Sequence, residues 1–201
     1  MTVNTTFFPP STALSCNLVL LALLCAPLSA SEADNLDTLS LTGFTADSPD
    51  FGWYVQNDNV MGGRSEGGFA IASEELIFSG NTNTNGGGFS SIRTQPLELD
   101  LSAYTGIRVK VKADGRRYPW GIQTDALWRG RQINYWADFD TLADQTMVID
   151  IPFVNFLPQF RGFKLDGPEL DTGQIAEFSL YQYDKTDGPF ALRLISVEAY
   201  R

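Results

Sequence analysis

Beyond a polar approach at 31–42, apolar residues recur at every second position in short runs, and clusters of Gly, Asn, Asp and Pro separate the runs. Ile107, Val109 and Val111 alternate with Arg108, Lys110 and Lys112, the spacing of a strand with one face buried and the other in water. Tyr118, Trp120 and Ile122 share one face of the next candidate strand. Ile133, Tyr135, Ala137 and Phe139 share a face of another, with Asn134, Trp136 and Asp138 opposite. Stretches 146–151 and 175–183 read as further strands. Phe190, Leu192 and Leu194 open the last strand, and the change of phase at Ile195 predicts a bulge. The stretch between Pro152 and Pro158 reads as an irregular crossover. Long amphipathic helical patterns are absent. Many short strands between turn signals predict an all-β fold, a β-sandwich or jelly roll.

The first 31 residues carry no charged side chain, and 18–26 is an unbroken apolar run followed by Pro27, Leu28, Ser29 and Ala30. The run suits the hydrophobic region of a signal peptide and is too short for a membrane span. Three parts are therefore expected: a signal peptide at 1–30, the approach at 31–42 and one β-domain at 43–201. The mature chain is expected to begin near Ser31 or Asp34, to be exported to the periplasm or beyond, and to have no membrane span. The leader is atypical, because no Lys or Arg precedes Arg64; a misassigned start codon would account for that and make the protein cytoplasmic.

Charge and composition narrow the chemistry. The formal net charge is −10, which disfavours a nucleic-acid partner, since phosphate binding needs a basic face. The chain has no His, and its two cysteines, Cys16 and Cys25, fall in the leader. Ser-His-Asp and Cys-His catalysis and the usual zinc sites are thereby excluded from the mature domain. A hard-cation site built from Asp, Asn and carbonyl oxygens stays open. No cofactor is expected.

Two glycine loops stand out. In the first, Asn57, Asp58, Met61, Gly62, Gly63, Arg64 and Ser65 follow an aromatic strand entry. Asn and Asp bond their own backbone in turns, and paired glycines admit φ > 0 or close approach. The loop reads either as an ordered corner or as a polar binding site in which Asp58 and Asn57 take a cation or ligand; Met61 is expected to plug the edge of the core. The second loop carries Asn85 and Gly87 and leads into Phe89 and Arg93. Neither a phosphate loop nor a dinucleotide fingerprint fits, because no Gly-Lys-Ser or Gly-Lys-Thr and no helical pattern follows.

A third constellation lies on a sheet face. Gln123, Asp125, Asn134, Trp136 and Asp138 fall opposite Ile122 and Ile133. If their strands pair, an aromatic ring sits among amides and carboxylates, the combination that recognises a sugar ring and its hydroxyls. Trp128 and Arg129 extend it. The plain alternative is an exposed polar face with Trp136 covering an edge. Arg93 is expected to point inward and pair with Asp114 or Asp138. No spacing singles out a carboxylate pair for hydrolysis.

The segments Trp53-Tyr54-Val55-Gln56-Asn57-Asp58-Asn59-Val60-Met61-Gly62-Gly63-Arg64-Ser65, Asn85-Gly86-Gly87-Gly88-Phe89-Ser90-Ser91-Ile92-Arg93-Thr94, Phe160-Arg161-Gly162 and Asp187-Gly188-Pro189-Phe190 occur in the order seen in a known family. The chain from about residue 44 to 200 resembles the complex I intermediate-associated protein 30 domain. The resemblance implies a galactose-binding-like β-sandwich without catalytic residues, and eukaryotic relatives that act as assembly chaperones for respiratory complex I. Three readings follow. The first is a non-catalytic binder of a client protein during assembly or folding, which rests on the resemblance. The second is an exported carbohydrate-binding module using the Trp136 face. The third is a hydrolase with an unidentified carboxylate pair.

Overall fold

The computed structural model describes residues 38–201 together with Met1 and Thr2. The apolar run at 18–26 and the expected processing sites lie outside the described residues.

The strands, in chain order, are β1 (Thr38–Thr42), β2 (Tyr54–Asn57), β3 (Glu66–Ala72), β4 (Glu75–Thr82), β5 (Ser90–Arg93), β6 (Gly106–Ala113), β7 (Arg117–Gln123) and β8 (Leu127–Trp128). They continue with β9 (Arg131–Gln132), β10 (Asn134–Asp140), β11 (Thr146–Pro152), β12 (Leu157–Phe160), β13 (Phe163–Lys164), β14 (Glu177–Gln182) and β15 (Gly188–Tyr200). One antiparallel sheet runs β11-β6-β15-β4-β3, with β1 also paired to β15. The other runs β13-β12-β10-β7-β14-β5-β2, and β8 and β9 form a separate hairpin. The fold is an all-β sandwich.

Alternation explains the layering. Ile107, Val109 and Val111 are buried from the first sheet; Tyr118, Trp120, Ile122, Tyr135, Phe178 and Leu180 meet them from the second. Trp120 packs on Phe178 at 5.8 Å between ring centroids, and Phe78 on Phe190 at 4.8 Å. Each such fully buried side chain contributes about 1.5–3 kcal/mol. The long strand β15 carries the expected bulge: Leu194 pairs with Val111 and Ser196 with Lys110, skipping Ile195. The extra residue lets Leu194 and Val197 both point into the core, where each is 0% exposed.

Residues 38–42 are not a simple approach to the domain. They form β1, with Thr38 opposite Tyr200 and Leu41 and Thr42 buried. The polar composition hid this, because the partner that completes the hydrogen bonds lies at the far end of the chain. The crossover after β11 is irregular, as expected, with one 3-10 turn at Phe153–Asn155.

Period two then fixes what the second sheet shows to the outside. With Phe178 and Leu180 inward, Glu177, Ser179, Tyr181 and Tyr183 face away from the core. So do Gly121 and Gln123 on β7, and Asn134, Trp136 and Asp138 on β10.

Candidate binding cleft

The two glycine loops meet at one buried carboxylate. Asp58 is 0% exposed. Its Oδ1 accepts the Ser65 N–H at 2.9 Å. Its Oδ2 accepts the Ser65 hydroxyl at 2.6 Å, the Gly88 N–H at 2.6 Å and the Phe89 N–H at 3.3 Å. Burial alone would raise the Asp58 pKa; the donors of Gly88, Ser65 and Phe89 outweigh it and hold the group below the ordinary carboxylate value. A Cβ on Gly63 would fall 2.2 Å from Asp58 Cγ, and one on Gly87 2.3 Å from Asp58 Oδ2. These glycines exist because the carboxylate lies against their backbone. Gly62 has φ +84 and closes the 3-10 turn at Asp58–Met61. Asn57 is held as well: its amide donates to Gly67 O at 3.0 Å and its oxygen accepts the Ser90 hydroxyl at 2.6 Å.

The loop is thus an ordered corner whose carboxylate oxygens are filled by the protein's own donors. Among the described residues no cluster of three or more His, Cys, Asp or Glu side chains is arranged to hold a metal ion. Arg64 and Asn85 are exposed beside the corner. Met61 corrects an expectation: it does not plug the core but is 57% exposed. Its 3-10 turn carries it, with Val60, to the mouth of a cleft that Phe89 also lines.

That cleft, of about 360 Å³, lies on the outer face of the second sheet. Trp136 stands opposite Gly121, and Gly121 opposite Ser179. Any side chain at 121 would meet the indole, whose Cδ1 is 3.3 Å from an ideal Cβ position. The Trp136 ring lies 4.5 Å from Tyr181 and 5.6 Å, edge-on, from Tyr183. Phe89 packs on both tyrosines at 6.1 and 6.3 Å. Phe160 adds a further aromatic wall. Planar polar groups complete the lining: the amides of Gln56, Gln132 and Asn134 and the guanidinium groups of Arg93 and Arg161. Asn134 Oδ1 accepts the Gln123 amide at 2.8 Å, so β7 and β10 bring that pair together as expected.

Arg93 corrects a second expectation. Its partner is neither Asp114 nor Asp138 but Glu177, at 3.1 Å, because β14 runs beside β5 and Glu177 lies two residues, on the same face, from Arg93's register partner Ser179. Its Nη2 donates to the Tyr181 hydroxyl, and Tyr54 donates to Glu177 at 3.3 Å. Burial raises the Glu177 pKa against the pull of Arg93. Burial likewise pushes the Tyr181 phenol up to about 12, so it stays protonated. Arg93 Nε and Trp136 Nε1 are buried without an acceptor.

Asp138 and Asp125 do not join the cleft. Asp138 lines an adjoining depression of about 620 Å³ with Lys185 and Asp187, where Arg116 pairs with Asp184 at 2.6 Å and Arg117 with Asp140 at 2.8 Å. Asp125, past the end of β7, lines a separate hollow with Glu98 and Asp100. A pleated strand aims Asp138 at the same side as Trp136, but its place two residues further along β10 carries it past the rings. The sequence reading missed Gln56, Gln132, Phe160, Arg161, Tyr181 and Tyr183. Tyr181 and Tyr183 were readable, since they alternate with Leu180 and must share a face opposite it.

No helix among the described residues is long and apolar enough to cross a membrane. The fold is similar to that of a family 11 carbohydrate-binding module from Clostridium thermocellum, solved with a β-1,3-1,4-mixed-linked tetrasaccharide. The two share 14% identity and a TM-score of 0.59, over 82% of this chain and 95% of that one. An agarase structure matches with a TM-score of 0.58 and 11% identity, over 82% of this chain and 25% of the enzyme. In sequence, an uncharacterized Schizosaccharomyces pombe protein is 28% identical over 173 residues, covering 73% of this chain and 79% of its own. Residues 42–194 match the family described as complex I intermediate-associated protein 30. The chain belongs to that family.

Proposed function

We propose that this protein is a non-catalytic module that binds a saccharide chain in the Trp136 cleft. One observation carries the reading: Trp136, Tyr181, Tyr183 and Phe160 line the same open cleft as the amides of Gln56, Gln132 and Asn134. Ring faces take up the C–H surface of a sugar, and planar amides match vicinal hydroxyls. The similarity in fold to a carbohydrate-binding module is consistent with this. A glycan array probed with the wild-type protein and with Trp136→Ala tests it. Binding of a saccharide that the variant loses supports the reading; a wild type that binds no saccharide overturns it.

A second reading is a client-protein binder, in keeping with the family. Its specific support is the apolar mouth of the cleft, where Val60 is 63% and Met61 57% exposed. Patches of this kind mark protein contacts. Crosslinking in the native host would capture a defined partner through Met61 under this reading and none under the first. Export is proposed on the leader alone, and an intact Met1 on cytoplasmic protein would contradict it.

A further inference from the structure

Three cations around the cleft share an unusual design. Arg129, Arg161 and Lys185 all have positive φ, at 51°, 50° and 64°. Arg129 and Arg161 each occupy the first position of a two-residue hairpin tip, before Gly130 and Gly162, joining β8 to β9 and β12 to β13. Such tips favour Asn or Asp before the glycine, and a long side chain there is strained. Each cation also lies over an aromatic ring. Arg161 sits 5.5 Å from the Phe160 centroid, Arg129 4.4 Å from Trp128, and Lys185 3.4 Å from Tyr183. Phe160, Arg161 and Tyr183 line the cleft, and Trp128 lies behind Phe160 at 5.3 Å; Lys185 stands where the cleft meets the adjoining depression of Asp138, Asp140, Asp184 and Asp187.

None of the three forms an ion pair among the described residues; Arg64, Lys110, Lys112, Arg131 and Lys164 likewise form none, whereas Arg93, Arg108, Arg116, Arg117 and Arg193 do. The cleft lining contains no carboxylate, and of its two arginines Arg93 is held by Glu177 behind it while Arg161 is not ion-paired, in a chain of 24 acidic and 14 basic residues. Strained, unpaired cations gathered at the rim of one aromatic cleft, on an acidic protein, point away from mere solubility.

Resting on the saccharide reading above, we propose that the cleft takes an anionic glycan, a chain bearing carboxylate or sulfate groups. The sugar faces meet Trp136 and Tyr183, which Tyr181 backs from beneath, while the rim cations meet the acidic substituents. At physiological salt, charges beyond about 8 Å are screened, so the local rim outweighs the net charge of the molecule.

The test compares matched pairs by calorimetry on the whole protein: polygalacturonate against its methyl ester, and a sulfated galactan against its desulfated form. A preference of about tenfold for an acidic member at low salt is expected, shrinking toward 1 M salt, where the screening length is about 3 Å. The triple variant Arg129→Asn, Arg161→Asn, Lys185→Asn keeps residues that accept positive φ. It should lose the preference while its melting temperature holds. Neutral members bound as well as or better than their acidic partners would overturn this inference and leave the saccharide reading standing. No saccharide bound by any arm would overturn both, as would tighter binding of a single-stranded oligonucleotide than of every glycan.

Discussion

Trp136 packs across Gly121, its register partner on the neighbouring strand, and an ideal Cβ at 121 would sit 3.3 Å from the indole and 2.3 Å from Ser179 Oγ. The missing side chain is what lets the ring lie down beside Tyr181. Gly121→Ala therefore forces Ser179 and Trp136 to move. The expected cost is about 1–3 kcal/mol, seen as a lower melting temperature together with an altered near-ultraviolet circular dichroism signal. An unchanged aromatic signal would mean that the glycine does not set the ring's position.

Asp58→Asn removes the charge that four donors converge on. An amide can accept at one oxygen only, so Ser65 or the Gly88 and Phe89 amides lose a partner. A loss of about 1–3 kcal/mol is expected from urea unfolding. Gly63→Val, which drives a side chain into the same carboxylate, should lower the melting temperature at least as much.

The acid limb follows from the same group. The folded Asp58 pKa lies below its ordinary value, so its contribution is complete above that value and is lost as pH falls through the lowered one. Asp184, where burial raises the pKa but the Arg116 pair and the Thr186 amide prevail, acts in the same direction. Glu177 has the opposite sign: its raised pKa costs stability once pH exceeds its unfolded value. Stability should rise as pH climbs through the acid range up to the ordinary carboxylate value, and Asp58→Asn should flatten that rise. A limb of equal steepness in the variant would assign the titration elsewhere.

Glu177→Gln leaves Arg93 half-buried without its counter-charge. A penalty on the order of 3 kcal/mol is expected, and Arg93→Met in the Glu177→Gln background should restore part of it. If the double variant is no more stable than the single one, the pair is not a coupled unit.

Met61→Ser distinguishes a cleft-mouth residue from a core plug. With 57% of the side chain in water, the change should alter stability by no more than about 0.5 kcal/mol. A large loss would return Met61 to the core.

The architecture was legible because Ile107 to Val111 and Ile133 to Phe139 alternate cleanly, and Trp136 and Asn134 stood out on the far face. The Gln123–Asn134 contact followed once β7 and β10 paired. What stayed hidden depends on strand order. Glu177 is 84 residues from Arg93, and nothing local announces that β14 lies beside β5. Asp138 and Trp136 share a face by period two, yet two residues along a strand separate a cleft from its neighbour. The glycine loops carried their signal openly, but only the buried carboxylate of Asp58 explains why they form a corner rather than a cation cage.

Under the proposed function the ligand meets Trp136 on the outer sheet face. Nuclear magnetic resonance of the protein titrated with a saccharide selected from the array tests it most directly. The Trp136 indole N–H and the Tyr181 and Tyr183 rings are expected to shift on binding, while the indole of core residue Trp120 stays in place. Saturable shifts confined to other surfaces, such as the hollow beside Asp125 or the first sheet, would contradict it.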